Sequence, residues 1–144
     1  MFSQPIRTIM ERRKFVTVPP GTSVREASQL MAKKQIGAVL VVEDKRLIGI
    51  FSERDVVFRV VARGLDPATT PLSQVMTQEP KTIKPNNTFG YAMTLMHENG
   101  FRHLPVIDEG KVVGIVSARS ALDPELEEFV CEERRRQRFK EEAT

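Results

Sequence analysis

The stretch from about Thr17 to Val56 recurs downstream, without a gap, at a constant offset of about 65 residues. Thr17 falls on Thr82, Pro20 on Pro85, Ala27 on Ala92, Leu30 on Leu95, Met31 on Met96, Val41 on Val106, Gly49 on Gly114, Ile50 on Ile115, Ser52 on Ser117 and Arg54 on Arg119. The chain is therefore a duplication, and its 144 residues leave room for two small copies and exclude a large multidomain enzyme. Two copies in an open array would expose both ends, so the copies are expected to pack about a pseudo-twofold axis around a joint core.

In copy one, Ser23 and Glu26 form a capping-box pattern, and Val24, Ala27, Leu30 and Met31 follow at helical spacing. Residues 38–42 are a short apolar, β-branched run, 43–46 a polar turn and 47–51 a second run, the pattern of a hairpin. A further helix is expected from Ser52 to near Arg63, closed by Gly64 in the left-handed conformation. Copy two predicts a helix from Thr88, strands over 104–107 and 112–116, and a helix from Ser117. The fold class is thus α+β, two β-α-β-β-α repeats packed as one pair. The expected boundaries are 1–64 for repeat one with its N-terminal segment, 65–76 for a linker and short helix, 77–122 for repeat two and 123–144 for a charged helical tail. In the linker, Thr70 and Pro71 read as N-cap and first residue of a short helix reaching Met76.

Composition narrows function. A net charge of +3 from 22 basic and 19 acidic residues is too balanced for a nucleic-acid footprint, so any polyanion site must be local. No window approaches the roughly 18 apolar residues of a spanning helix. The N-terminal apolar residues Ile6, Ile9 and Met10 are interrupted by charge and followed by Glu11-Arg12-Arg13-Lys14, so no signal peptide is read and the expected location is the cytoplasm. The single Cys131 forms no internal disulfide, neither His97 nor His103 has metal-ligand spacing around it, and no nucleophile-base pair or Walker-type loop is present. The reading is of a protein that is not an enzyme, with no catalytic residue and no metal.

The succession "TVPPGTSVREASQLMAKKQIGAVLVVEDKRLIGIFSERD" followed by "TIKPNNTFGYAMTLMHENGFRHLPVIDEGKVVGIVSARS" closely resembles a pair of CBS (cystathionine-beta-synthase) domains of the stand-alone bacterial type. The resemblance implies a disc-like pair with two symmetry-related clefts for AMP, ADP, ATP or related adenosyl ligands such as NAD or S-adenosylmethionine. It also implies a homodimer and a regulated partner protein that the sequence does not identify.

A ribose presents two adjacent hydroxyls, and an ionised carboxylate can accept from both; Asp55, in the first turn after a strand with Ser52, fits that role. The resemblance carries the rest of the cleft: Lys81 and Thr82 near base or ribose, Phe101 and Pro105 as apolar wall, Arg102 and His103 toward the phosphates, and Arg119 reaching the same phosphates. In the other cleft Ser120 stands in place of the acid, and Gly37-Ala38-Val39-Leu40 stands opposite Arg102-His103-Leu104-Pro105. One main ligand site per chain, built around Asp55, is therefore expected, with the Ser117 cleft weak, empty or used by a different and less charged ligand. Simpler readings stand beside these: Ser52 and Asp55 also satisfy helix capping, His103 a half-buried strand position, and Pro105 the shaping of an edge strand. The alternative function is a structural dimerisation module with vestigial clefts.

In the tail, Asp123 and Pro124 read as N-cap and first helical residue; Glu125, Glu127 and Glu128 crowd the start and Arg134, Arg135, Arg136 and Arg138 the end, matching a helix dipole. Leu126, Phe129 and Val130 form an apolar stripe expected to dock the first turns, leaving the remainder to project into solvent or onto a second chain.

Overall fold

The computed structural model describes residues 2–10, 15–120 and 122–143. The charged stretch 11–14 lies outside the described residues, as do the side chains of Leu122, Asp123, Pro124, Glu125 and Glu127. Chain order is α1 (Ile6–Met10), β1 (Thr17–Val18), α2 (Val24–Lys34), β2 (Ala38–Glu43), β3 (Arg46–Ser52), α3 (Glu53–Asp55) running into a π-helical segment (Val56–Val61), α4 (Leu72–Val75), β4 (Thr77–Gln78), α5 (Phe89–Asn99), β5 (His103–Asp108), β6 (Lys111–Ser117) and α6 (Leu122–Ala143).

The two long helices start as their sequences dictate: Ser23 Oγ accepts from Glu26 N–H at 3.1 Å and Thr88 Oγ1 from Tyr91 N–H at 3.2 Å. Each hairpin turns through two residues of positive φ, Asp44-Lys45 and Glu109-Gly110, the backbone that matches the right-handed strand twist. The register shifts at the same point in both hairpins, between Val41 and Val42 and between Val106 and Ile107, so Ile48 and Val113 are the extra residues of equivalent bulges. Repeat one builds a four-stranded sheet, β1-β2-β3-β4, with β1 parallel to β2 and the other pairs antiparallel; repeat two builds β5-β6, with a single parallel bridge from Ile83 to Val106 in place of β1.

The structure extends the duplication beyond the gapless match. Pro5-Ile6-Arg7-Thr8-Ile9-Met10 corresponds to Pro71-Leu72-Ser73-Gln74-Val75-Met76 at an offset one residue larger. Pro5 bridges to Thr88, and Pro71 bridges to Ser23, the equivalent N-cap. The short helices are exchanged: Ile6 and Ile9 of α1 join the repeat-two core with Phe89, Met96, Leu104 and Val116, while Leu72, Val75 and Met76 join the repeat-one core with Val24, Met31, Val39 and Phe51. Met10, the last residue of α1, and Met76, just after α4, each lie against a glycine, Gly114 of β6 and Gly49 of β3. A Cβ on Gly49 would collide with the Met76 side chain, and one on Gly114 would lie 3.1 Å from Met10 Sδ. Between the repeats, Ala38, Leu40 and Ile50 pack with Ile115, flanked by Leu47 and Val112, as the joint core.

Three expectations need correction. The helix after β6 does not start at Ser117: residues 118–120 form a turn closed by Ser120 N–H to the Ser117 carbonyl at 3.1 Å. That helix and the tail are one element, α6, beginning at Leu122, so Asp123 and Pro124 fall inside its first turn. Its apolar stripe is not docked on this chain: Leu126, Phe129 and Val130 are 59%, 58% and 36% exposed. In the linker, α4 starts after Pro71, which takes the cap position with extended backbone, and Thr70 is buried with its hydroxyl donating to the Asp66 carbonyl at 2.7 Å.

Candidate functional site

The start of β2 lies against the start of β5, so that Gly37 of one repeat meets His103 of the other. Gly37 sits under this junction. A Cβ placed there would lie 3.0 Å from His103 Nε2 and 3.2 Å from Glu53 Oε1, so the absence of a side chain is what lets groups from both repeats converge. The junction opens into a cavity of about 790 Å³. Met31, Ile36 and Val56 supply apolar wall, Arg102, His103 and Arg119 supply basic groups, Glu53 is the acid, and Ser28 and Ser117 add hydroxyls. Among the described residues, Ser28 Oγ is buried without a hydrogen-bond partner, a state that costs on the order of 1–3 kcal/mol unless something fills it.

Of the residues singled out in the sequence, Arg102, His103 and Arg119 come together on this wall, whereas Ser52, Asp55, Lys81, Thr82, Phe101 and Pro105 do not line it. Asp55 completes a capping box: its Oδ2 accepts from Ser52 N–H at 2.9 Å and from Ser52 Oγ–H at 3.2 Å, and its Oδ1 lies 3.5 Å from Arg59 Nε. Ser120 does the same work in repeat two, its Oγ accepting from Ser117 N–H at 2.9 Å. The exchange of Asp for Ser thus preserves the turn and removes a charge. Lys81 and Thr82 are exposed ahead of the Ile83–Val106 bridge, Phe101 packs against the repeat-two core, and Pro105 is buried in β5, its carbonyl accepting from Ile83 N–H at 3.0 Å.

The sequence reading missed Glu53, Ser28 and Gly37. Glu53 and Val56, three apart, share one helical face, while Asp55 points elsewhere. The signal for Gly37 was present in the repeat alignment, where it stands opposite Arg102: one copy supplies the cation and the other the space. A second cavity of about 430 Å³, lined by Arg7, Met10, Lys84 and Asn86 among others, lies beside α1, where Arg7 Nη1 donates to Asn86 Oδ1 at 2.7 Å. Among the described residues no cluster of three or more metal-ligating side chains exists, and no helix is long and apolar enough to cross a membrane.

A duplicated βαββα unit whose copies exchange short helices and enclose a polar cavity at their junction defines a tandem-repeat α+β module. The chain belongs to the CBS-domain family: the CBS domain model matches it twice, over residues 6–62 and 72–124. It is 39% identical over 101 residues to a CBS domain-containing protein of Bacillus subtilis, covering 70% of this chain and 71% of that protein. It is 35% identical over 119 residues to a CBS domain-containing protein of Arabidopsis thaliana; the match covers 81% of this chain but spans only 21% of that protein's length. Among solved structures, a conserved protein from Pyrococcus horikoshii superposes with a TM-score of 0.79 at 32% identity, covering 87% of this chain and 94% of that one. A CBS domain protein from Pyrobaculum aerophilum complexed with AMP superposes at 0.74 with 26% identity, covering 81% and 89%.

Proposed function

We propose that the chain is a regulatory module that binds an adenine nucleotide, AMP or a related adenosyl ligand, in one main site per chain, the cavity at the junction of the repeats. The observation that carries this reading is the convergence of Arg102, His103 and Arg119 of one repeat with the apolar wall of the other around about 790 Å³, a volume suited to a ligand of nucleotide size. The guanidinium groups suit a phosphate, Met31, Ile36 and Val56 suit the flat base, and the buried Ser28 hydroxyl gains a partner from a polar ligand atom. The AMP carried by the Pyrobaculum relative supports the same ligand class. Asp55 acts in this reading as a positioning residue, holding the turn that presents Glu53 and Val56. Because the ligand touches both repeats, it shifts their relative packing to the extent that it binds one arrangement more tightly than another, which is the physical content of regulation. No step of the reading requires catalysis.

Calorimetric titration of the wild type, Arg102→Ala and Arg119→Ala with AMP, NAD and S-adenosylmethionine tests it. About one ligand per chain, weakened about tenfold or more by either substitution, is the expected result, since a charge-assisted hydrogen bond is worth roughly 1.5–3 kcal/mol. Absence of binding, or binding indifferent to both arginines, would overturn it.

A second reading, a dimerisation module, has its own observation. Val57, Phe58 and Val61 on the π-helical segment and Leu126, Phe129 and Val130 on α6 are exposed apolar residues on the two helices that follow the equivalent strands β3 and β6. A second copy of the chain would cover both stripes, and the two readings are compatible.

A further inference from the structure

The charges around the cavity are unevenly drawn from the two repeats. Among the described residues of the wall, Arg102 and Arg119 come from repeat two, and Glu53, the one acid, comes from repeat one. Glu53 is held there by its backbone, whose N–H donates to the Gly37 carbonyl at 2.9 Å, and its Oε1 and His103 Nε2 lie 3.2 Å and 3.0 Å from where a Cβ on Gly37 would sit. In repeat two the same backbone contact is made by Ala118 N–H to the Arg102 carbonyl at 3.2 Å, so Ala118 occupies the position equivalent to Glu53 and brings no charge. Arg54, the equivalent of Arg119, is drawn away from the cavity: its Nη1 donates to the Gly100 carbonyl at 3.3 Å and its guanidinium carbon lies 5.1 Å from the centroid of Phe58. Repeat one therefore contributes a negative charge to a pole where repeat two contributes positive ones.

Two arginines offset by one glutamate leave a small positive balance. A phosphomonoester, with about −1.5 to −2 charge near neutral pH, matches that balance, whereas each further phosphate of a polyphosphate adds negative charge that Glu53 repels. We infer that Glu53 is a specificity-determining residue that makes this cavity select a nucleoside monophosphate over the corresponding diphosphate or triphosphate. The inference rests on the cavity being a nucleotide site and adds to it which nucleotide is held.

The test is titration of the wild type, Glu53→Gln and Glu53→Asp with AMP and ATP in magnesium-free buffer, with thermal unfolding as a check that the exposed substitution leaves the fold intact. The wild type should prefer AMP, and Glu53→Gln should narrow the AMP-to-ATP ratio about tenfold, chiefly by tightening ATP, with a smaller narrowing at high salt. Glu53→Asp, which keeps the charge, should retain most of the preference. If both nucleotides bind and their ratio is the same in wild type and Glu53→Gln, the selectivity role is wrong while the nucleotide site stands. If neither nucleotide binds to any of the three proteins, the site itself is wrong and the inference falls with it.

Discussion

The Asp55 carboxylate accepts from both the N–H and the hydroxyl of Ser52, and its side chain is only 13% exposed. Asp55→Ala should therefore destabilise the protein by about 1 kcal/mol through loss of the cap, visible as a lower urea midpoint with unchanged slope. The Arg59 pair adds little, since that side chain is 37% exposed and the charges are screened. Asp55→Asn keeps an acceptor and should lose less. The capping pattern was legible from Ser52 and Asp55 alone because it is local. Which residues of that turn face the cavity was not, because the rotation of the helix is set by tertiary burial, Val60 being fully buried in the repeat-one core. Gly37 shows the same limit: its meaning lies in His103 and Glu53, neither of which is near it in sequence.

Helices α2 and α5 and the two hairpins could be read from periodicity and turn residues, and the structure moves their ends by a residue or so. The exchange of α1 and α4 could not. Helices of five and four residues have no periodic signal, and the one-residue change of offset falls between their ends and the gapless match that starts at Thr17 and Thr82. Their anchoring is nonetheless strong, with Ile6 and Ile9 0% and 4% exposed. Ile9→Ala should cost about 2–5 kcal/mol, measured by equilibrium denaturation. A loss under 0.5 kcal/mol would mean that α1 is not part of the repeat-two core. The helix expected from Ser117 starts later for a different reason: Ser120 keeps the capping geometry of Asp55, but the chain passes through a turn before α6 begins.

The duplicated architecture as a whole was legible because two copies of one pattern reinforce each other. The surface that the molecule presents to others was not, since exposure depends on where α6 leaves the body. With Phe58 and Phe129 58–59% exposed, a second copy is the occupant that the symmetry of the two stripes favours. Phe129→Glu should convert dimer to monomer in sedimentation equilibrium without lowering nucleotide affinity per chain, because Phe129 does not line the cavity. A wild type that is monomeric at high concentration would remove the dimer from the account. The central claim is that the junction of the repeats holds the nucleotide, and backbone amide NMR of the full chain during titration with AMP addresses it most directly. Shifts centred on Gly37, Glu53, Arg102, His103 and the turn from Ser117 to Ser120 are predicted; shifts centred instead on Arg7, Lys84 and Asn86, or no shifts at saturating AMP, would contradict it.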